Sequence, residues 1–120
     1  MSVVSKTIKY LLDKNISVST AESCTGGLLA AEFTAVSGIS KIYKTGLITY
    51  SNDSKIKNLK VKPSTIKRYG AVSRQVCAQM CLHLHKISKS QLTFSTTGVA
   101  GPNGGTTVSY THLTLPTTKN

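Results

Sequence analysis

Tryptophan is absent from this 120-residue chain, and phenylalanine occurs only twice. With five tyrosines the aromatic supply is thin, which argues against a surface that grips single strands of nucleic acid by base stacking. Carboxylates are scarce as well: four Asp and Glu stand against 15 Lys and Arg, a formal charge of +11. That excess attracts phosphates, whether on a nucleotide, a nucleic acid or a membrane surface, and charge alone does not choose among them. A generally lysine-rich surface is the plainer reading, and it is preferred here to a nucleic-acid site. No run approaches the roughly 20 apolar residues that span a bilayer, and Met1 to Tyr10 is too polar for the apolar region of a signal peptide. A cytoplasmic protein with no membrane partner is expected. Cys24, Cys77 and Cys81 are an odd count without a CxxC pair, and no His completes a zinc set. They read as thiols, two of them in the core, and no metal is expected.

What is present suffices for one compact domain: 39% of the residues are hydrophobic. Val4, Ile8, Leu11 and Leu12 recur at helical spacing, predicting a first helix from about Ser2 to Asp13. Ile16 and Val18 alternate with Ser17 and Ser19 as a strand does, and helical composition resumes at Gly26. The stretch "TAESCTGG" (residues 20–27) therefore sits on a strand-to-helix turn. A second strand is predicted over Thr45 to Ser51, with the "ND" pair after it suited to capping a short helix. Pro63 suits the first turn of another helix, closed by Gly70. Ser73 can cap a helix that buries Val76, Cys77, Met80, Cys81 and Leu84, and "QLTFSTT" follows as a third strand. Strands alternating with helices argue for a layered α/β domain whose sites collect at the loops after strands. The "ESCTGG" turn and the "TTGVAGPNGG" loop both qualify.

In "ESCTGG", Gly26 and Gly27 allow close backbone approach, and the first amides of the next helix could hold an anion or a developing oxyanion. That suits Ser23 as nucleophile or phosphate ligand, about as well as the motif suits a Ser/Thr-rich cap on a tight turn. Cys24 is the better intrinsic nucleophile, but a small buried residue is the favoured reading of it. A serine needs a base, and no His is placed to serve: His83 and His85 fall on different faces of one helix, and His112 lies near the chain end. A lysine held neutral by burial could act instead. Lys55, Lys57, Lys60 and Lys62 crowd one stretch, where pattern alone favours a solvated basic face for each. Glu22 reads as a capping carboxylate in preference to an orienter of a nucleophilic serine and its base. Gly98, Gly101, Gly104 and Gly105 make a loop dense enough in glycine for backbone contact with phosphate or ribose, though ordinary turns look the same.

Taken together, "TAESCTGGLLAAEFTAVSGISKIYKTGLITYSNDSKIKNL", "YGAVS" and "TTGVAGPNGGT" resemble the CinA carboxy-terminal domain family, the PncC-type nicotinamide-nucleotide amidohydrolases. The blocks match in order and spacing from about residue 4 to 107. The resemblance implies a three-layer α/β/α sandwich with a mixed, mostly parallel sheet, incomplete at the C-terminus. It also implies hydrolysis of the carboxamide of nicotinamide mononucleotide to nicotinate mononucleotide and ammonia, without a cofactor or metal, in a protein that commonly forms homo-oligomers. Carried over by motif, Ser23 is the nucleophile and Lys55 its base, with Tyr50 lining the site. Cys24, Thr25, Gly26, Gly27, Thr97, Gly98, Gly101 and Gly104 are then expected around the substrate.

The resemblance stops after "GPNGGT". Residues 108–120 read as a non-family tail, and Val108 to Thr117 is similar to the in-frame translation of a transposase adaptor used in sequencing libraries. A natural edge strand, with Thr111, Leu113 and Leu115 alternating, is the competing expectation.

Overall fold

The computed structural model describes residues 2–98 and the backbone of residues 109–114. Four strands form one sheet in the order β2-β1-β3-β4: β1 (Val18–Glu22), β2 (Tyr43–Ile48), β3 (Leu92–Gly98) and β4 (Ser109–Thr114). β1 is central and pairs in parallel with β2 and β3, while β4 runs antiparallel along β3, from Thr93↔Thr114 to Gly98↔Ser109. The sheet is thus mixed and mostly parallel, as expected.

Among the described residues five α-helices cover it. α1 (Val3–Asp13) and α2 (Leu28–Thr34) pack on one face, where Ile8, Leu11 and Phe33 meet Val18 and Leu92 of the sheet. α3 (Asn52–Leu59), α4 (Pro63–Tyr69) and α5 (Arg74–Ser88) pack on the other, where Leu59, Val76, Met80 and Leu84 meet Ala21, with Leu47 against them. The period-2 pleat of β1 and β3 does this sorting, since successive side chains leave a strand on opposite faces. The α/β/α layering follows from it. α5 buries Val76, Cys77, Met80, Cys81 and Leu84, the five residues its spacing predicts.

The boundaries differ from sequence expectation where caps and carbonyls have other work. Ser2, Ser51 and Ser73 each take an extended conformation and accept an amide three residues on, so they stand outside the helices they cap. The α3 cap is therefore Ser51, and the expected "ND" pair forms the first turn. α2 begins at Leu28, two residues later than expected, because Gly26 and Gly27 hold φ of +59° and +106°. β2 stops at Ile48, before the expected Ser51, and the carbonyls of Thr49 and Tyr50 turn to an amine instead of a neighbouring strand. At the edge, β4 occupies residues expected in the tail.

Candidate active site

The carboxyl ends of β1, β2 and β3 come out side by side, the position where parallel sheets present their loops. Ser23 directly follows β1, and the pleat sends it to the α3–α5 face. Lys55, on the first turns of α3, reaches it there: Lys55 Nζ donates to Ser23 Oγ at 2.9 Å. It also donates to the carbonyl of Thr49 at 2.9 Å and to that of Tyr50 at 3.1 Å. Lys55 is 1% exposed and Ser23 is 5% exposed, so the pair is desolvated.

This arrangement decides which hydrogen can move. Carbonyl oxygens only accept, so two of the amine's hydrogens are committed to Thr49 and Tyr50. The third position, facing Ser23, holds a hydrogen in the ammonium form and the lone pair in the neutral amine. The neutral amine is thus aimed at the serine hydroxyl as a base. Burial lowers the Lys55 pKa below the ordinary lysine value, and the nearby Cys24 opposes that shift. No carboxylate pairs with Lys55; the one ion pair among the described residues joins Lys57 to Asp53 on the outside of α3.

Glu22, one residue before Ser23, leaves β1 on the opposite face and is 1% exposed. Its Oε1 accepts from Thr25 Oγ1 at 2.6 Å, from the Gly27 amide at 3.2 Å and from the Leu29 amide at 2.9 Å. Its Oε2 accepts from the Ala30 amide at 2.9 Å. The capping reading of Glu22 holds, and it corrects the expectation that the first amides of α2 are open to an oxyanion: the carboxylate takes them. Gly26 and Leu28 amides are bonded within the turn, to the carbonyls of Ser23 and Thr25. The amides of Ser23, Cys24 and Thr25 have no acceptor among the described residues.

The other predicted residues separate. Cys24 is a half-buried thiol in the turn. Thr25 spends its hydroxyl hydrogen on Glu22 and so accepts from Thr96 Oγ1 at 3.0 Å, which ties β3 to the turn. Tyr50 supplies its carbonyl to Lys55, and the residue is 68% exposed. Thr97 is buried and donates to the Ala71 carbonyl at 3.1 Å, on the face that Ser23 occupies. The register Ala21↔Ser95, extended by two residues, sets Thr97 level with Ser23. Gly98 ends β3, and Gly101 and Gly104 lie outside the described residues.

Sequence reasoning missed Thr49 and Thr96. The Thr49 contribution is a main-chain oxygen, for which a sequence carries no signal. Thr96 was within reach, because strand alternation puts one of the Thr96–Thr97 pair on each face. A cavity of about 520 Å³ opens between α1 and the end of α2 beside Lys9, Asp13 and Glu32. Neither Ser23 nor Lys55 lines it, because the pair is packed against its partners.

Comparison with known proteins places these features in a wider set. The family model described as the CinA C-terminal domain matches residues 1–110. A competence-damage inducible protein of Clostridium novyi is 53% identical over 98 residues, and one of Acetivibrio thermocellus is 49% identical over 98 residues. These alignments cover 82% of this chain but 24% of each relative, so the chain spans about a quarter of their length. Among solved structures, the competence/damage inducible protein CihA of Agrobacterium tumefaciens superposes with a TM-score of 0.87 at 34% identity, covering 96% of this chain and 78% of that one. The competence damage-inducible protein A of Klebsiella pneumoniae gives 0.86 at 28% identity, covering 93% and 73%.

Proposed function

The chain belongs to the CinA C-terminal domain family, and from that premise and the Ser23–Lys55 contact we propose that it is an amidohydrolase acting on nicotinamide mononucleotide. The observation that carries the reading is the buried amine, held by two carbonyls and set 2.9 Å from a serine oxygen. Neutral Lys55 takes the Ser23 proton as Oγ attacks the carboxamide carbon. The oxyanion that forms is held by amides of the Ser23–Thr25 segment, which lack acceptors among the described residues. Lys55 then gives its proton to the departing nitrogen, and ammonia leaves. Water, deprotonated by the same amine, cleaves the acyl-serine to nicotinate mononucleotide and restores Ser23. Thr97, level with Ser23 on its face, and the glycines from Gly98 onward are the proposed contacts to the nucleotide, with Tyr50 lining the site. The reading includes a cytoplasmic location and assembly as a homo-oligomer.

The test is ammonia release from nicotinamide mononucleotide by the purified chain beside its Ser23→Ala and Lys55→Ala variants. Turnover that disappears in both, with circular dichroism unchanged, supports the amidase. Turnover that survives Ser23→Ala and is lost on thiol alkylation transfers the nucleophile to Cys24.

A binding module without hydrolysis is the second reading, favoured by the distribution of charge. From Ser54 to Gly98 there are nine Lys and Arg and no Asp or Glu, which makes the α3–α5 layer strongly basic. This reading expects nucleotide or nucleic-acid binding that weakens steeply with salt and is indifferent to Ser23→Ala.

A further inference from the structure

Glu22 and Ser23 are neighbours in the chain that work on opposite sides of the sheet. Most helix caps come from the residue at the helix start and satisfy one or two amides. α2 has no such side chain: its N-cap is Gly27, in the left-handed region. The carboxylate that serves it reaches in from the end of β1, and takes amides at Gly27, Leu29 and Ala30 along with the Thr25 hydroxyl. One side chain therefore fastens strand end, turn and helix into a single unit. Thr25, forced to accept from Thr96, extends the tie to β3. α2 is seven residues long, too short to fix its own first turn against fraying.

We propose that Glu22 is a positioning residue for Ser23: from the far face of the sheet it fixes the Ser23–Gly27 turn. That fixing keeps Ser23 Oγ within bonding distance of Lys55 Nζ and leaves the Cys24 and Thr25 amides open toward the substrate. The inference rests on reading Ser23 as the nucleophile. Glu22 touches no reacting atom. It acts through the backbone it restrains, and the shift of Lys55 comes from burial, with Cys24 as the opposing charge. Loss of the Glu22 charge should therefore slow the serine without retuning the base.

Glu22→Gln makes the test. It preserves length and one acceptor oxygen, but sets an NH2 group against amide hydrogens that the second oxygen now accepts. Two readouts are followed in the 120-residue chain. The first is phosphonylation of Ser23 by a fluorophosphonate across pH, in which Oγ bonds to phosphorus, fluoride leaves and the serine proton passes to Lys55. The second is ammonia release from nicotinamide mononucleotide. Expected for Glu22→Gln is a labelling plateau about tenfold to a hundredfold below the parent, with an unmoved pH midpoint. An unchanged plateau overturns the proposal. So does a midpoint that rises with the loss, since that reports a loosened Lys55 and a general structural role. A parent chain that labels no faster than Ser23→Ala overturns it too, leaving no activated serine to position. Labelling without ammonia release defeats the amidase reading alone, and the Glu22 comparison is still read from the label. If Glu22→Gln does not fold, Thr25→Val replaces it; it releases the tie to Thr96 while the three amides stay capped. A few-fold drop in plateau is then expected, and no drop overturns the proposal.

Discussion

The two faces of the sheet are built from different chemistry. On the α1–α2 face Ile8, Leu11, Val18, Phe33, Ile39, Ile42 and Leu92 form a buried apolar cluster, with the Phe33 ring stacked on Tyr43 at 5.1 Å and tilted to Phe94 at 6.3 Å. On the α3–α5 face apolar packing shares space with hydroxyls and thiols. The Cys77 and Cys81 thiols donate to the carbonyls of Ser95 and Thr93, His85 bonds Thr93 Oγ1 at 3.1 Å, and Lys55 is buried at the end of the layer. The outer surfaces differ in the same sense. Residues 1–51 carry five Lys and three of the four acids, whereas residues 52–98, which include the helices of the second face, carry nine Lys and Arg against Asp53 alone. The first face supplies an apolar core and the capping carboxylate of Glu22; the second supplies the desolvated Ser23–Lys55 pair, the proposed nucleophile and base. A single strand, β1, serves both because its side chains alternate.

Swapping a residue on each face should separate stability from chemistry most sharply. Lys55→Ala should lower ammonia release by about 10²–10⁴-fold, the range for loss of a positioned base. Phe33→Ala should cost about 3–5 kcal/mol of stability while leaving the rate per folded molecule near the parent value. Chemical denaturation and initial rates on the two variants decide it, and a Phe33→Ala enzyme as slow as Lys55→Ala would erase the division.

The pH dependence comes next. Only neutral Lys55 can accept the serine proton, so the rate should climb about tenfold per pH unit below the pKa of Lys55 and then flatten. Because burial lowers that pKa, the flattening should come below the ordinary lysine value of 10.5. A rate still climbing above that value would show an amine in water. A smaller effect is expected at the hinge between the faces. Gly27→Ala places a side chain at φ +106° and 3.0 Å from Ile48 Cδ1, so a loss of about 1–3 kcal/mol should appear in denaturant melts. The smallest change tests the charged surface. Burial holds the His83 pKa below its usual value, and Lys86, Lys60 and Lys62 depress it further. Replacing all three lysines by Gln should move its NMR titration up, whereas Lys6→Gln with Lys9→Gln should leave it in place.

Much of this was legible in the residues. The buried stripe of α5 and the Pro63 and Ser73 helix starts follow from local rules. The "ESCTGG" and "TYSNDSK" blocks named Ser23 and Lys55 through resemblance, since spacing alone gave four lysines an equal claim on a solvated face. The strand ends were less legible. The exit of Thr49 and Tyr50 from β2 depends on an amine six and five residues further on, and a local pattern carries no record of where that amine goes. The amides at the start of α2, expected to be open to an oxyanion, were misread for a similar reason. Their availability depended on whether Glu22 pointed at α2, and that is a matter of which face of β1 it occupies.

By itself the sequence determined the alternation of strands and helices, the Pro63 and Ser73 helix starts and the sites of turning, because these rest on interactions within a few residues. Tertiary structure decided which lysine lies beside Ser23, since only burial against Thr49, Tyr50 and Ser23 removes water from one amine among thirteen lysines. It also decided that adjacent residues, Glu22 and Ser23, take separate tasks. The pleat sends them to opposite faces, and what waits on each face is set by packing between segments far apart in the chain.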